Sequence, residues 1–325
     1  MLYPLKFKPI LKQTIWGGDK LAYKSNDPKV KESIGESWEI SGVQDNISVV
    51  SEGALEGNSL QELTEIYMGD LVGDKIYEKF GIEFPLLIKY IDARDNLSIQ
   101  VHPDDATAKA RHNAYGKTEM WYILEAEPEA SLIYGFSKPM QPEQLDTCLK
   151  ENTILSYLQK IPVKKGDVFL IPAGTVHAIG AGIVLAEIQQ SSNLTYRLYD
   201  YNRTDATGKK RPLHIKKAKA VIQFSANQPP QTKQPMQQKD GYQVQCLCKC
   251  PYFCTTLLTI QTACDWTDYQ PDSDTFQVLL CISGSGTMQT KENALSFQKG
   301  DCIFLPAHCS MERLTGTAEL LQITG

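Results

Sequence analysis

Two segments of the chain repeat one pattern over twelve residues without a gap. They read GDVFLIPAGTVH at 166–177 and GDCIFLPAHCSM at 300–311. In each copy Gly-Asp predicts a turn, the apolar run predicts a buried strand, and Pro-Ala predicts a second turn into a further strand. Because the pattern occurs twice, we expect two similar β-rich domains in one chain.

The remainder of the chain is also organised around short strands. Runs such as SWEISG, NISVVSEG and FPLLIKYID are separated by Gly, Pro and Asp turn signals, which favours a mainly β fold of the sandwich or barrel type. Two segments, near 59–80 and 141–160, instead have apolar residues at helical spacing, and Ser59 is placed to cap the first. We expect both helical segments to cover the β core.

A polar, proline-rich segment divides the chain. It reads FSANQPPQTKQPMQQKDG, spans 224–241 and has almost no apolar residue, so it predicts a linker. We therefore expect a larger domain at 1–223 and a smaller C-terminal domain at 242–325.

Charge and hydropathy argue against two classes of partner. The chain has 33 basic and 38 acidic residues, a formal charge of −5, which gives no field that attracts nucleic acid. Its most basic segment, GKKRPLHIKKAK at 208–219, is better interpreted as a solvated loop and helix start than as a phosphate-binding patch. No run of 18 apolar residues occurs, and MLYPLKFKP lacks the apolar core of a signal peptide. We expect a cytoplasmic protein with no nucleic-acid or membrane partner.

Eight of the nine cysteines follow residue 245. Most stand singly in apolar runs, where reduced cysteine packs as a small hydrophobic residue. The cysteines at 246, 248, 250 and 254 have a zinc cluster as an alternative interpretation. Their C-x-C-x-C spacing is not the C-x2-C of zinc knuckles, so alternation along one strand explains them better.

The segment NLSIQVHPDDATAKARHNAYGKTEMWYIL, at 96–124, alternates at its start between the two faces of a strand. The apolar face holds Leu97, Ile99 and Val101. The polar face holds Ser98, Gln100 and His102. A second alternating pair, Lys117 and Glu119, precedes the apolar run MWYIL. Ser98, Gln100 and His102 provide a hydroxyl, an amide and an imidazole, but none of the charged side chains that usually cover a solvent-exposed face. A functional site is therefore the alternative interpretation of this face.

A metal site is the interpretation that uses these side chains together. Two imidazoles, one carboxylate and one amide oxygen suit zinc or another divalent first-row ion, with a position open for substrate or water. The four candidate ligands are Gln100, His102, Glu119 and His177. The alternative is a core histidine, a surface carboxylate and a turn histidine. His102 lies in the alternating segment and His177 ends the repeated segment, and the occurrence of a histidine in each of these two motifs favours the metal site. Ser98 and Lys117, each two residues before a ligand, would point to one neighbouring spot.

The repeated segment resembles the second motif of the cupin family, and QVH…E resembles a modified form of the first. This resemblance implies a double-stranded β-helix, or jelly roll, with a metal held inside the barrel. The second copy has His308 and Met311 where the first has Gly174 and His177. We therefore expect a cupin-like domain without a metal site at 242–325.

Longer motifs resemble type I mannose-6-phosphate isomerases, especially their short bacterial form. These motifs are IWGG, GESWEIS, SIQVHPD, GKTEMWYIL and IPAGTVHAIGAGIVLAEIQQSSNLTYRLYDY. Similarity runs from about residue 5 to 220 and more weakly through the tail. The resemblance implies a catalytic cupin domain at 1–223 and one zinc ion per chain on the four candidate ligands. It also implies Ser98 and Lys117 near the substrate phosphate and Arg197 as an active-site residue.

An enzyme of this family interconverts mannose 6-phosphate and fructose 6-phosphate through an enediol. The reaction needs a base, stabilisation of the enediolate and a grip on the phosphate. Arg197 suits the enediolate or the phosphate, whereas Lys117 and Ser98 suit the phosphate. Glu187, a carboxylate in an apolar strand, is the candidate base because burial raises a carboxyl pKa. A structural acceptor is the alternative for Glu187.

The chain departs from the family pattern at two positions, Gly116 where longer members have histidine and Thr118 where proline is common. A proton-transfer role for that histidine therefore does not carry over. Two other functions stay open, a cupin dioxygenase with ferrous iron and a non-catalytic sugar-binding cupin. The fourth ligand Gln100 and the cations Lys117 and Arg197 favour the isomerase. We expect a small-molecule sugar phosphate as substrate and a monomer or weak homodimer.

Overall fold

The computed structural model describes residues 2–25, 33–205, 207–226, 228–269, 274–291 and 293–325, without the side chains of 267 and 268. Residue 227 of the expected linker lies outside these ranges. The fold is mainly β, which confirms the predicted class. The strands are β1 (Ile10–Gly18), β2 (Ile34–Ser41), β3 (Leu86–Ala93), β4 (Ile99–Val101), β5 (Glu119–Ala126), β6 (Ser131–Phe136), β7 (Leu158–Pro162), β8 (Val168–Ile171), β9 (His177–Ala178), β10 (Ile183–Gln190), β11 (Tyr196–Tyr199), β12 (Gln237–Gln238), β13 (Tyr242–Lys249), β14 (Cys254–Ile260), β15 (Ala263–Asp265), β16 (Gln277–Thr290), β17 (Ala294–Gln298), β18 (Cys302–Leu305) and β19 (Met311–Thr324).

Helices are short and few. They are α1 (Leu60–Tyr67), α2 (Gly69–Val72), α3 (Asp74–Phe80), α4 (Asp105–His112), α5 (Pro142–Lys150), α6 (Ile215–Lys219) and α7 (Trp266–Tyr269), with 3₁₀ turns at Ala22–Lys24 and Ile154–Tyr157. Among the described residues, no helix has both the length and the apolar character needed to cross a membrane.

The chain forms two compact units. One, here called the site unit, comprises Leu11–Trp38 and Ile88–Gln231. The other, the C-terminal unit, comprises Met1–Ile10, Glu39–Leu87 and Thr232–Gly325. The linker at 224–241 and the domain limits predicted from sequence stay predictions.

Two sheets build the β-helix of the first cupin. One has six strands in the order β1-β2-β3-β10-β5-β8, and the other has five in the order β11-β4-β9-β6-β7. A buried apolar cluster includes Trp121 and Leu185 from the six-stranded sheet and Leu132 and Tyr134 from the five-stranded sheet. Burial of these large side chains, at about 25 cal/mol per Å², favours the pairing of the two sheets.

A second apolar cluster covers the outer face of the five-stranded sheet. It joins Ile99 and Val101 of β4 to Leu145 of α5 and Ala218 of α6. The apolar side of the alternating segment is therefore buried under helices. Since successive side chains on a strand point to opposite faces, the polar side of β4 faces the other way, toward the six-stranded sheet.

The repeated motif has the backbone that its glycines predict. Gly166 and Gly300 open the two copies at φ +86° and +95°, a region that side chains with a Cβ rarely adopt. In the first copy, Gly174 also has φ +87°, and its amide donates to the carbonyl of His102 at 2.9 Å. A Cβ there would lie 2.8 Å from the Val221 carbonyl oxygen. The hydrogen bond from Gly174 to His102 joins the two cupin motifs, and the nearby Val221 leaves no room for a side chain at position 174.

The C-terminal unit is a second β structure. Its eight-stranded sheet follows β12-β13-β14-β19-β16-β17, with β15 on β19 and β18 on β16. Met311 is buried in its apolar core. His308 is exposed instead, and its Nδ1 lies 2.8 Å from Asp70 Oδ1. Neither side chain therefore occupies a ligand position in the described part of this unit.

Candidate metal centre and active site

Strand pairing places three polar side chains in one row across the five-stranded sheet. Gln100 of β4 lies directly opposite His177 of β9 on one side and Arg197 of β11 on the other. Directly opposite residues of antiparallel strands share a face, with Cβ atoms about 5 Å apart. The register therefore brings Gln100 beside His177, although the two are far apart in sequence.

The carboxylate comes from the six-stranded sheet. Glu119 is the first residue of β5, opposite Gln189 of β10 and Ile171 of β8. A strand paired on both sides has little freedom, so the Glu119 side chain projects from a fixed backbone. It is fully buried.

His102, Glu119 and His177 form a buried cluster. The Nε2 atoms of the two imidazoles lie 3.1 Å apart. The Glu119 oxygens lie 3.5 Å from His102 Nε2 and 3.3 Å from His177 Nε2. Within the described ranges, this is the one group of three or more His, Cys, Asp or Glu side chains close enough to hold a metal ion.

Hydrogen bonds fix the tautomer of both histidines. Nδ1 of His102 lies 2.8 Å from the Leu194 carbonyl oxygen, and Nδ1 of His177 lies 2.8 Å from that of Thr175. A carbonyl only accepts, so each Nδ1 carries a hydrogen. Burial lowers the pKa of both rings, well below the ordinary value for His102 and to about 4 for His177. Both rings are therefore neutral near pH 7, with Nε2 lone pairs directed at the cluster centre.

His102 Nε2, His177 Nε2 and the Glu119 carboxylate are all hydrogen-bond acceptors, and none of them can donate to another. Glu119 Oε1 is buried and has no hydrogen-bond donor in the described structure. Burial, and then the charge of Glu187, raise the pKa of Glu119 to about 7, although Lys117 acts in the opposite direction. A cation at this point would stabilise the carboxylate and both lone pairs together.

The Lys117 ammonium lies against the cluster. Its Nζ is 3.1 Å from His102 Nε2 and donates a short hydrogen bond to Glu119 Oε2. It also lies 3.5 Å from Glu187 Oε1. Lys117 is 5% exposed. The sequence predicted that Ser98 and Lys117 point to one spot. Ser98, four residues before His102, is instead hydrogen-bonded to Arg197.

Ser98 and Arg197 form the other end of the polar face. Arg197 Nε donates to Ser98 Oγ at 3.2 Å, and Nη1 donates to the Pro212 carbonyl at 3.0 Å. Burial and the nearby charge of Arg211 lower the pKa of Arg197, which indicates positive potential around it. Four residues of extended chain separate Ser98 from His102 by about 13 Å. The Arg197 backbone lies in the row of Gln100 and His177, but its guanidinium extends to Ser98, so the polar face has a cationic end and a metal-type end.

A chain of alternating charges connects three strands behind the cluster. Glu187 Oε1 lies 3.0 Å from Lys89 Nζ, and its Oε2 accepts from the Trp121 indole at 2.8 Å. Lys89 also donates to Glu36 at 3.1 Å. Together with Lys117 and Glu119, this charge chain has three carboxylates and two ammonium groups. Its deficit of one positive charge is a second reason to expect a cation at the cluster.

The expected raised pKa of Glu187 is wrong. Burial does act to raise it, but the charges of Lys89 and Lys117 and the Trp121 hydrogen bond outweigh burial. They lower the pKa of Glu187 to about 2. Glu187 is thus a fully ionised ion-pair partner and a weak base.

Sequence reasoning missed Lys89 and Glu36. Lys89 lies inside the apolar run FPLLIKYID, and Glu36 lies in GESWEIS. A lysine within a buried strand must find a carboxylate, because an unpaired buried charge is very costly. That rule could have identified Lys89 as part of the site, although not its partner.

The fold and the cluster together define the class of the protein, a two-domain cupin with a buried His-Glu-His group suited to a metal ion. Comparison with known proteins agrees with this class. Residues 4–134 match the family model "Phosphomannose isomerase type I, catalytic domain", and residues 244–324 match "Mannose-6-phosphate isomerase, cupin domain".

Relatives match over nearly the whole chain. Mannose-6-phosphate isomerase ManA of Bacillus subtilis is 38% identical over 323 residues, covering 98% of both chains. Mannose-6-phosphate isomerase of Streptococcus mutans is 34% identical over 321 residues, covering 99% of this chain and 98% of the relative. The crystal structure of the Bacillus subtilis mannose 6-phosphate isomerase superposes with a TM-score of 0.89 at 30% identity, covering 99% of both chains.

The chain therefore belongs to the type I mannose-6-phosphate isomerase family. It is an isomerase, which confirms the family and enzyme class that the motifs predicted. This membership sets aside the dioxygenase alternative.

Proposed function

We propose that the protein is a zinc-dependent isomerase that interconverts mannose 6-phosphate and fructose 6-phosphate through an enediol. The observation that carries this proposal is the buried His102–Glu119–His177 cluster, with its uncompensated Glu119 oxygen. It stands in a chain that is 38% identical over its length to a mannose-6-phosphate isomerase.

The donor set fits a zinc ion. Two neutral imidazole Nε2 atoms and one carboxylate are a common three-residue set for catalytic zinc. Gln100, which lies opposite His177, supplies the fourth candidate ligand through its amide oxygen. Bound there, zinc would supply Lewis-acid polarisation of the sugar oxygens.

The cationic end of the polar face suits the substrate phosphate. Arg197 is held at Nε and Nη1, so its guanidinium plane is fixed before substrate arrives. A planar fork matches a phosphate group, and Ser98 adds a hydroxyl beside it. We therefore assign Ser98 and Arg197 to phosphate binding. Arg197 thereby takes the role that the sequence gave to Lys117.

Lys117 is assigned to the reacting carbons. Its ammonium touches both His102 and Glu119, so substrate oxygens that approach the cluster also approach Lys117. A fixed ammonium stabilises the negative charge of an enediolate as it develops at C1 and C2. Glu187 positions this ammonium, and Lys89 and Trp121 position Glu187. Glu187 is thus a positioning residue.

The remaining assignments follow from the same proposal. The substrate is a small sugar phosphate of carbohydrate metabolism, and we expect a cytoplasmic enzyme without nucleic-acid or membrane partners, as a monomer or weak homodimer. Residues 1–223 would form the catalytic domain and 242–325 a cupin domain without its own metal.

A coupled assay that detects fructose 6-phosphate tests the proposal. Purified protein should convert mannose 6-phosphate and should show no reaction with mannose, which lacks the phosphate that Arg197 and Ser98 would hold. Tight binding of mannose 6-phosphate without turnover would favour the non-catalytic sugar-binding cupin instead. Absence of both binding and turnover would contradict both functions.

A further inference from the structure

Arg197, which the proposed function assigns to the substrate phosphate, lies on an edge strand. Its strand, β11, stands at the end of the five-stranded sheet and pairs with β4 on one side. The other side of an edge strand presents backbone N–H and C=O groups that no strand pairs. The position of the Arg197 side chain therefore depends on what holds this outer edge.

His214 binds both outward backbone groups of Arg197. The His214 amide donates to the Arg197 carbonyl oxygen at 2.7 Å, and the Arg197 amide donates to His214 Nδ1 at 3.2 Å. In a regular antiparallel pair, both bonds are made with the backbone of the opposite residue. Here the imidazole takes the place of a backbone carbonyl as the acceptor, so a side chain completes the pairing.

The bond to Nδ1 requires a neutral imidazole. A backbone amide only donates, so Nδ1 has a lone pair and the ring hydrogen is on Nε2. Burial, and then the charges of Arg197 and Lys217, lower the pKa of His214. Near pH 7 the ring is therefore neutral and able to accept.

The segment that carries His214 also holds the guanidinium. The carbonyl of Pro212, two residues earlier, accepts from Arg197 Nη1 at 3.0 Å. On the other side, Ser98 Oγ accepts from Arg197 Nε at 3.2 Å. These contacts use two of the five guanidinium N–H groups, which leaves three for a phosphate in the described structure.

Packing of α6 fixes the backbone of His214. The residue directly precedes α6, and its carbonyl accepts from the Ala218 amide at 2.9 Å. Ala218 is fully buried in the apolar cluster that covers the outer face of the five-stranded sheet. The ring that contacts Arg197 therefore projects from an anchored backbone.

We propose that His214 is a positioning residue for Arg197, whose edge strand it holds so that the guanidinium meets the substrate phosphate in one orientation. This inference rests on the proposed function, in which Arg197 binds the phosphate. His214 acts through Arg197 and needs no contact with substrate. Loss of the Nδ1 acceptor should lower the affinity for a sugar phosphate by about 3–10-fold, the effect of about one net hydrogen bond.

Two variants of equal polarity test the acceptor. His214→Asn can place an amide oxygen where Nδ1 stands, whereas His214→Gln carries its amide one bond further along the side chain. Calorimetric titration with glucitol 6-phosphate, which lacks the carbonyl that isomerisation requires, measures binding without turnover. We expect wild-type affinity for His214→Asn and an affinity about 3–10-fold lower for His214→Gln. Leu213→Ala, an exposed neighbour in the same segment, is the control and should bind as the wild type does.

A double variant tests whether the effect passes through Arg197. In Arg197→Ala protein, the further change His214→Gln should lower the affinity by less than about twofold, because the guanidinium that His214 positions is gone. In steady-state kinetics with mannose 6-phosphate, His214→Gln should raise KM and leave kcat within about twofold of wild type.

Equal affinities of the Asn and Gln variants would overturn the inference. A full additional loss in the Arg197→Ala background would also overturn it. Neither result affects the proposed function if the wild type isomerises mannose 6-phosphate. Conversely, the expected binding pattern in a protein without turnover would overturn the isomerase and support His214 as the positioning residue of a phosphate site.

Discussion

The Nε2 atoms of His102 and His177 lie 3.1 Å apart, and neither carries a hydrogen to place between them. Their Nδ1 hydrogens are committed to the carbonyls of Leu194 and Thr175. Two lone pairs at this distance repel each other unless a cation or a donor lies between or beside them. Lys117 partly fulfils this need as a donor to His102, and a bound metal ion would fulfil it for all three acceptors.

Alanine at His102 or His177 should abolish metal binding and lower kcat by at least about 100-fold. Loss of an outer partner of a ligand already costs about 10–100-fold, so loss of a ligand should cost more. Metal analysis and the coupled assay measure the two effects. His308→Ala is the matched control, since this histidine is exposed and pairs only with Asp70 in the described structure. Equal losses in the His308 variant would point to damage unrelated to the cluster.

Arg197 and Lys117 should differ in the kinetic constant that they control. Arg197→Ala removes a charged contact that holds phosphate equally in ground and transition states, so KM should rise by about 10–100-fold with kcat little changed. Lys117→Ala removes a charge beside the reacting carbons, so kcat should fall by about 100–1000-fold.

Steady-state kinetics with mannose 6-phosphate measure this division, with the exposed Arg94→Ala and Lys160→Ala as controls. Exchange of the C2 proton with solvent, followed by NMR, should persist in the Arg197 variant at saturating substrate and fail in the Lys117 variant. The reverse pattern would instead assign Lys117 to the phosphate and Arg197 to the enediolate.

Lys89→Met should destabilise the fold strongly. The substitution keeps the apolar stem but leaves Glu187 and Glu36 without their shared ammonium inside the sheet. Breaking one partner of a buried ion pair costs about 3–5 kcal/mol in the free energy of unfolding. Urea unfolding measures it, and the exposed Lys160→Met should change the free energy by less than about 0.5 kcal/mol. A neutral Lys89 variant would mean that the charge chain contributes little.

Acid should lower the free energy of unfolding of the site unit, because it protonates Asp200. Burial would raise the pKa of Asp200, but hydrogen bonds from Arg211 and Arg203 outweigh it and lower the pKa. A folded-state pKa below the unfolded value of about 3.9 gives stability that is complete above that pH. This stability is lost as the pH falls through the folded-state pKa.

Asp200→Asn should therefore lower the free energy of unfolding by about 1–3 kcal/mol near pH 7, and the difference from wild type should shrink below about pH 4. Urea unfolding at several pH values measures it. Asp146→Asn, an exposed carboxylate paired with Lys219, is the control and should show little difference at any pH. A difference that is constant down to pH 3 would contradict the assigned pKa.

The cluster could be predicted because its signals are local. Alternation around Gln100 and His102 follows from the period of a strand, and His177 ends a motif whose turns require glycine at 166 and 174. These signals identify which side chains share a face. The jelly roll then follows from family resemblance.

The electrostatics could not be predicted, because they depend on strand order. Lys89 reaches Glu187 because β3 lies next to β10, a pairing of strands about 100 residues apart. That contact reverses the pKa shift that burial alone would give Glu187. Ser98 contacts Arg197 and Lys117 contacts Glu119, and spacing in the sequence does not encode these different partners.

Metal content measured together with turnover tests the central claim most directly. Protein purified without added metal should contain one equivalent of zinc per chain, lose activity in step with zinc during dialysis against a chelator, and regain it on addition of one equivalent. His102→Ala should not regain it. Full conversion of mannose 6-phosphate by protein free of any divalent metal would contradict the account.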